Sequence, residues 1–254
     1  MGVLSPIYRL YEKSLWQQIR GGPKPRHVGV ILDGNRRFAR GKGLDPTQGH
    51  FFGAEKVKEL LRWCYRLNIK VITLYAFSTE NFNRSEEEVR TLMELFATKL
   101  KELQSEPQIE KNQVKIKVIG RREQLSDELN AEIKKVEDQT AHHDNFFLNI
   151  AVSYGGRAEI VDAVKKIAKQ IDEKKLEIDQ IDEEIIGQNL YTCGLPDPDL
   201  IIRTSGEERL SNFLLWQSAY SELYFTEVYW PAFRLIDFWR IIRIYQQRER
   251  RHGK

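Results

Sequence analysis

Short apolar runs alternate along this chain with stretches of helical period, and that alternation restricts the fold more than any other feature. Val28 to Leu32 is a brief apolar run that reads as a strand buried on both faces. From Ala54 to Tyr65, apolar residues at Val57, Leu60, Leu61 and Cys64 keep helix spacing, and Val71 to Phe77 predicts a second strand. Ser85 with Glu88 predicts a capping box, opening a long helix whose apolar stripe is Val89, Leu92, Met93, Phe96, Leu100 and Leu103. The pattern continues with a strand in VKIKVIG, a helix from Asp127 to Thr140, a strand in FFLNIAVS and a helix from Ala158 to Ile171. Short strands at Leu200 to Ile202 and Leu223 to Phe225 and a helix from Phe233 to Tyr245 close the series. Such alternation specifies an α/β fold, a single domain with a central, mostly parallel six-stranded sheet flanked by helices.

The 254 residues suffice for one large α/β domain with a substantial core. Hydrophobic residues at 41% and charged residues at 30% exclude disordered and fibrous classes. The sequence has no apolar run long enough to span a bilayer and no export signal, so a cytoplasmic location is expected. Cys64 and Cys193 have neither metal-ligand nor redox spacing and read as plain thiols, and the Asn83-Arg84-Ser85 glycosylation triplet has no meaning in a protein that stays inside. Residues 1–22 form an amphipathic segment of their own, with Leu4, Ile7, Tyr8, Tyr11, Leu15, Trp16 and Ile19 on one stripe. It is expected to pack on the core, with loose contact to a membrane surface as the alternative. Residues 23–254 form the main domain.

The net charge of +3 is too small for a dedicated nucleic-acid binder, but the cations are unevenly placed. Arg20 to His50 holds seven Lys or Arg against two Asp, and the C-terminal QQRERRHGK is basic again. In a parallel sheet, ligands bind beyond the C-terminal ends of the strands. Four strand ends are followed there by polar clusters: Asp33-Gly34-Asn35-Arg36-Arg37, Ser78-Thr79-Glu80-Asn81-Phe82-Asn83-Arg84, Tyr154-Gly155-Gly156-Arg157, and Arg203-Thr204-Ser205-Gly206 with Arg209 and Ser211 close behind. Any one cluster alone is an ordinary turn or helix start. Arginines from several strand ends gathered on one edge repel unless an anion or carboxylates lie between them. Arginine forks, glycine turns and a lone carboxylate suit a diphosphate, with the carboxylate holding a magnesium ion that keeps most of its waters. The nucleotide motifs of the Walker A and G-x-G-x-x-G kind are missing, as are H-E-x-x-H and G-x-S-x-G.

HVGVILDGNRRFA, TLYAFSTENFNRS, LNIAVSYGGR, DLIIRTSGEERLSNFLLWQSAYSELYF and the closing RERRHG together resemble the cis-prenyltransferases, which include undecaprenyl and dehydrodolichyl diphosphate synthases. The resemblance runs from about Arg26 to Gly253. DGNRRFA and RTSGE are similar to the eukaryotic branch and Arg251-His252-Gly253 to the homodimeric bacterial one, a mixture that fits an archaeal-type member. The family adds isopentenyl diphosphate units to an allylic diphosphate, making a cis double bond each time. The resemblance therefore implies a magnesium-dependent homodimer. Its primer would be farnesyl or geranylgeranyl diphosphate, and its long, undecaprenyl-like product would be a precursor of a glycosyl carrier lipid.

By the same resemblance Asp33 binds magnesium and is the central catalytic residue. Gly34, Asn35, Arg36, Arg37, Phe38, His50 and Arg84 hold the allylic substrate, and Arg203, Arg209, Leu210 and Ser211 take isopentenyl diphosphate. Ser78, Thr79, Glu80, Asn81 and Phe82 line the site, with Asn81 accepting the proton. Glu222 is the second metal contact, and Arg251 and Gly253 reach the neighbouring subunit's isopentenyl site. Inward side chains of VITLYAF and FFLNIAV would wall a hydrophobic tunnel for the growing chain. Pro46 stands where bacterial members carry a diphosphate-binding arginine, so the resemblance implies either that Arg40 or Lys42 substitutes or that affinity for the allylic substrate differs. A non-catalytic partner subunit would tend to lack Asp33, and a nucleic-acid binder would interleave aromatics with the basic tail; neither pattern is present.

Overall fold

A computed structural model describes residues 6–248. Its helices are α1 (Pro6–Ile19), α2 (Asn35–Gly41), α3 (Gln48–Leu67), α4 (Glu86–Gln104), α5 (Pro107–Lys111), α6 (Asp127–Thr140), α7 (Gly156–Asp172), α8 (Glu183–Asn189) and α9 (Leu235–Gln247). Its strands are β1 (His27–Ile31), β2 (Val71–Ser78), β3 (Val114–Ile119), β4 (Phe146–Tyr154), β5 (Leu200–Arg203) and β6 (Glu222–Phe225). The strands form one six-stranded sheet in the order β3-β4-β2-β1-β5-β6. Every pairing is parallel, so the expected mostly parallel sheet is wholly so.

Alternation along the central strands, broken by register shifts near the ends of β2 and β4, separates two apolar layers. Val28, Val30, Ile72, Leu74, Leu148, Ile150, Leu200 and Ile202 face one layer, where they are covered by residues of α1, α3, α4, α6 and α9. Ile31, Tyr75, Ala151, Tyr154 and Ile201 face the other, packed with Phe213 and Leu214. There Tyr75 stacks on Phe213 with ring centroids 4.8 Å apart. On that second face the buried Glu159 of α7 accepts hydrogen bonds from Tyr154 Oη, Gln217 Nε2 and the Tyr191 N–H. A buried carboxylate is tolerated there because its lone pairs are filled.

The N-terminal helix packs on the core. Leu15 and Ile19 of α1 are fully buried and Trp16 lies against Trp239 of α9 at 5.4 Å. Each such aliphatic side chain contributes about 1.5–3 kcal/mol on burial. Leu10 stays largely exposed, and the side chains of Leu4 and Ile7 lie outside the described residues. No helix among the described residues is long and apolar enough to cross a membrane.

Candidate active site

The end of β1 shows why the polar clusters fall together. After Ile31 the chain must turn off the sheet and start α2, and Gly34 makes that turn with φ +95°, a left-handed conformation that other residues adopt at a cost. A side chain there would also press on Tyr229 and Ser205, the nearest atoms being 2.7 and 2.9 Å from an added Cβ. Asp33 is thereby held at the sheet edge, its backbone N–H and C=O both bonded to the Thr204 hydroxyl, at 3.1 and 2.7 Å.

Asp33 is the centre of one cluster. Its Oδ2 accepts from Arg203 Nη2 at 2.8 Å, its Oδ1 accepts from the Gly34 N–H at 2.6 Å, and Arg37 Nη2 lies 3.5 Å from Oδ1. Burial alone would raise the Asp33 carboxyl, but the hydrogen bond and charge of Arg203 and the Gly34 N–H outweigh it and hold the group below its ordinary range. Asp33 is therefore an anion at neutral pH. Arg203 is buried at the end of β5, where its other guanidinium nitrogen donates to Ser211 Oγ and Arg209 O, each at 2.6 Å. Its Nε has no partner among the described residues. Arg37 also donates to Ser205 Oγ at 2.7 Å and to Glu207 at 3.1 Å, and Arg209 reaches the same Glu207 at 2.6 Å.

A second cluster surrounds Glu88. Arg84 donates to it at 2.9 Å, and Arg36 and His50 lie 3.6 and 3.7 Å away. This is where the expected capping box is only half formed. Ser85 Oγ accepts from the Glu88 N–H, but the Glu88 side chain turns to the cations instead of back to the helix start. Burial first, then the charge of Arg84, push the His50 imidazole down to about 4, leaving it neutral at pH 7.

Both clusters open into one cavity of about 870 Å³. Asp33, Gly34, Asn35, Arg36, Arg37, His50, Ser78, Glu80, Asn81, Arg84, Arg203 and Ser211 line it, and so does Arg40. Its depth is apolar, walled by Leu74 and Ala76 of β2, Leu148 and Ile150 of β4, and Leu92, Phe96 and Leu103 of α4. Asn35 donates to Leu32 O at 2.8 Å while its buried Oδ1 lacks a partner and stands where a Cβ on Gly53 would be. The turn Thr79–Asn83 supplies the last polar group: Asn81 Oδ1 accepts from the Ser78 N–H at 3.1 Å, and Glu80 accepts from Asn212 at 2.9 Å.

Several expected site residues stand apart. Phe38 packs edge-on against Phe52 under Lys42, so of the two proposed replacements for the arginine missing at Pro46 it is Arg40 that lines the cavity. Phe82 packs on Phe77, Leu210 joins the second apolar layer, and Thr79 and Arg209 lie around the cavity without lining it. Glu222 also stands apart. It opens β6, level with Leu200 and Val28, whereas Arg203 and Ile31 are three residues further toward the site, roughly 10 Å at 3.3 Å per residue. Its carboxylate pairs with Arg248. Within one chain Glu222 and Asp33 thus do not share an ion. Arg251 and Gly253 lie outside the described residues. Glu88, Glu207 and Thr204 were missed as site residues, because a glutamate among arginines in sequence looks like any solvated helix start or turn.

Residues 31–253 match the prenyltransferase family model described as undecaprenyl diphosphate synthase. The chain belongs to this family of cis-prenyltransferases. It is 53% identical over 253 residues to an isoprenyl transferase of Thermus thermophilus, covering 98% of this chain and 96% of that one. It is 52% identical over 252 residues to a geranylgeranyl-diphosphate-specific tritrans,polycis-undecaprenyl-diphosphate synthase of Methanocaldococcus jannaschii, covering 98% of this chain and 90% of that one. Among solved structures, lavandulyl diphosphate synthase from Lavandula x intermedia, in complex with dimethylallyl diphosphate, superposes with a TM-score of 0.85 at 36% identity over 91% of this chain and 99% of that one. The candidate site is the cavity edge built by the ends of β1, β2 and β5.

Proposed function

We propose that this cis-prenyltransferase extends geranylgeranyl diphosphate with successive isopentenyl diphosphate units to an undecaprenyl-length product, a precursor of a glycosyl carrier lipid. The observation that carries this reading is the joining of two arginine clusters to one apolar cavity. Diphosphates would sit at the charged edge and the hydrocarbon in the depth. The primer is chosen on the Methanocaldococcus jannaschii relative, whose specificity is for geranylgeranyl diphosphate. We place the enzyme in the cytoplasm as a homodimer that loosely touches the membrane surface receiving its product.

Arg36, His50 and Arg84 hold the allylic diphosphate, and Arg203, Arg209 and Ser211 the isopentenyl diphosphate, with Arg37 between them. Arginine forks fit phosphate oxygens in bidentate fashion and stabilise the charge that grows on the leaving diphosphate as the allylic carbon–oxygen bond breaks. The cavity walls exclude water from the carbocation. The proton released as the new double bond forms passes toward Asn81 Oδ1, which has a second lone pair beyond the one given to Ser78.

A magnesium ion fits the donor set at Asp33: one ionised, half-exposed carboxylate beside a diphosphate site, the sparse protein ligation this cation favours. When bound, it would add positive charge against the departing diphosphate. Each added unit gains at most about 4 kcal/mol from burial, at ~0.8 kcal/mol per carbon, so cavity length governs where elongation stops. Incubation with magnesium, radiolabelled isopentenyl diphosphate and each of dimethylallyl, farnesyl and geranylgeranyl diphosphate, followed by sizing, tests the proposal. Long products formed best from geranylgeranyl diphosphate are expected, and no incorporation from any primer would overturn it.

A further inference from the structure

The cavity has a charged seam in its otherwise apolar side. Lys58 of α3 and Lys99 of α4 both line it, next to Leu61, Leu100 and Leu103. Their ammonium groups reach outward to a shared pair of carboxylates. Lys58 Nζ bonds Glu102 Oε2 at 2.7 Å and lies 3.7 Å from Glu55, while Lys99 Nζ bonds Glu102 Oε1 at 2.7 Å and also contacts Glu55. Each helix thus supplies one lysine and one glutamate, and every cation touches both anions. The group spans the gap between α3 and α4, with methylene stems toward the cavity and charges toward solvent.

The two helices start together at the diphosphate edge, where His50 of α3 lies 3.7 Å from Glu88 of α4. From those residues the seam is eight positions along α3 to Lys58 and fourteen along α4 to Glu102, roughly 12 and 21 Å at 1.5 Å per residue. It therefore stands well down the path of a growing hydrocarbon. Single half-exposed ion pairs are worth little to stability, but four charges shared between two helices form a network, the case in which such pairs do hold.

We propose that Glu55, Lys58, Lys99 and Glu102 form a clasp that shuts the side of the cavity between α3 and α4 and thereby limits product length. The inference rests on the polyprenyl synthase reading above. With the clasp closed, a lengthening chain meets the end of the cavity and further additions no longer gain burial. With it open, the two helices part and the chain threads sideways toward an apolar surface, so that elongation continues. Substitution of the lysines by methionine keeps an unbranched apolar stem and removes the charge, opening the seam without emptying the wall.

The test compares product length in the wild-type protein, the exposed-side variant Glu55→Gln/Glu102→Gln, the variant Lys58→Met/Lys99→Met, and a full charge swap, Glu55→Lys/Lys58→Glu/Lys99→Glu/Glu102→Lys. Both opened variants should make products longer by at least one five-carbon unit, with the rate of the first addition changed less than twofold. The swap should restore the wild-type distribution. Raising salt from 0.1 to 1 M, which shortens the screening length from about 10 to 3 Å, should lengthen the wild-type product and leave the methionine variant unmoved. Unchanged length in either folded opened variant, or a swap that behaves like the opened variants, overturns the clasp. Failure of the wild type to incorporate any isopentenyl diphosphate would instead overturn the reading on which it rests.

Discussion

Asp33 Oδ2 and Arg203 Nη2 meet at 2.8 Å across neighbouring parallel strands, the guanidinium buried and the carboxylate half-exposed to the cavity. The pairing fixes each group. It keeps Asp33 ionised and aims Arg203 along the cavity edge with Ser211 as its other partner.

Asp33→Asn keeps the shape and removes the charge. Turnover should fall by about 10² to 10³, the scale seen when one group that stabilises developing charge is removed. Substrate affinity should fall far less. Steady-state rates together with equilibrium binding of a non-reactive allylic diphosphate analogue check this, and turnover near wild type would remove Asp33 from its assigned role.

Stability should fall on acidification through the windows of two histidines. His27, the first residue of β1, is buried with its Nδ1 2.7 Å from Pro196 O and its Nε2 2.7 Å from Thr73 Oγ1, and burial pushes it down to about 4. A carbonyl only accepts, so Nδ1 carries the hydrogen and Nε2 accepts from Thr73. His50 is likewise about 4. Because both folded values lie below the unfolded 6.5, the unfolded chain binds more protons between those limits, and stability is lost as pH falls from about 6.5 to 4. Each group contributes on the order of 3 kcal/mol across the full window, at 1.36 kcal/mol per unit. Urea denaturation at several pH values should show the slope, and His50→Gln should remove about half of it.

Much of the site was legible because a parallel sheet delivers every strand's C-terminal end to one edge. The clusters after β1, β2 and β5 needed only the strands to be read correctly, whereas the expected cluster after β4, Tyr154 to Arg157, does not line the cavity. What was not legible was depth and partnership. NRRFARG has too few apolar residues to announce α2, and a glycine on each side reads as a turn. Glu88 looked like the second half of a capping box until two arginines and a neutral imidazole from separate segments converged on it. Glu222 lies in a long family motif beside true site residues. Motif membership says nothing about which end of a four-residue strand a side chain occupies.

Ala76 lines the cavity on β2, half-buried, three residues before the turn that carries Asn81. Ala76→Leu should shorten the product by one or more units, since extra methylenes in a filled channel cost about 1 to 3 kcal/mol. An equal product length in a well-folded variant would place the hydrocarbon elsewhere. Product sizing alongside a thermal melt separates that outcome from simple destabilisation.

The C-terminal Arg251 should serve the neighbouring subunit. Arg248 pairs with Glu222, which lies near the end of the sheet away from Asp33. The expectation rests on the resemblance of Arg251-His252-Gly253 to the tail of the homodimeric bacterial members. We expect a chain lacking residues 250–254 and a chain carrying Asp33→Asn to be feeble alone and to regain activity when combined, because one site in each mixed dimer joins an intact Asp33 to its partner's intact tail. Co-expression with two different affinity tags, tandem purification and a rate measurement check this. A mixture no more active than its components would mean that the tail acts within its own chain or not at all, and gel filtration of the truncated chain shows whether the dimer itself was lost.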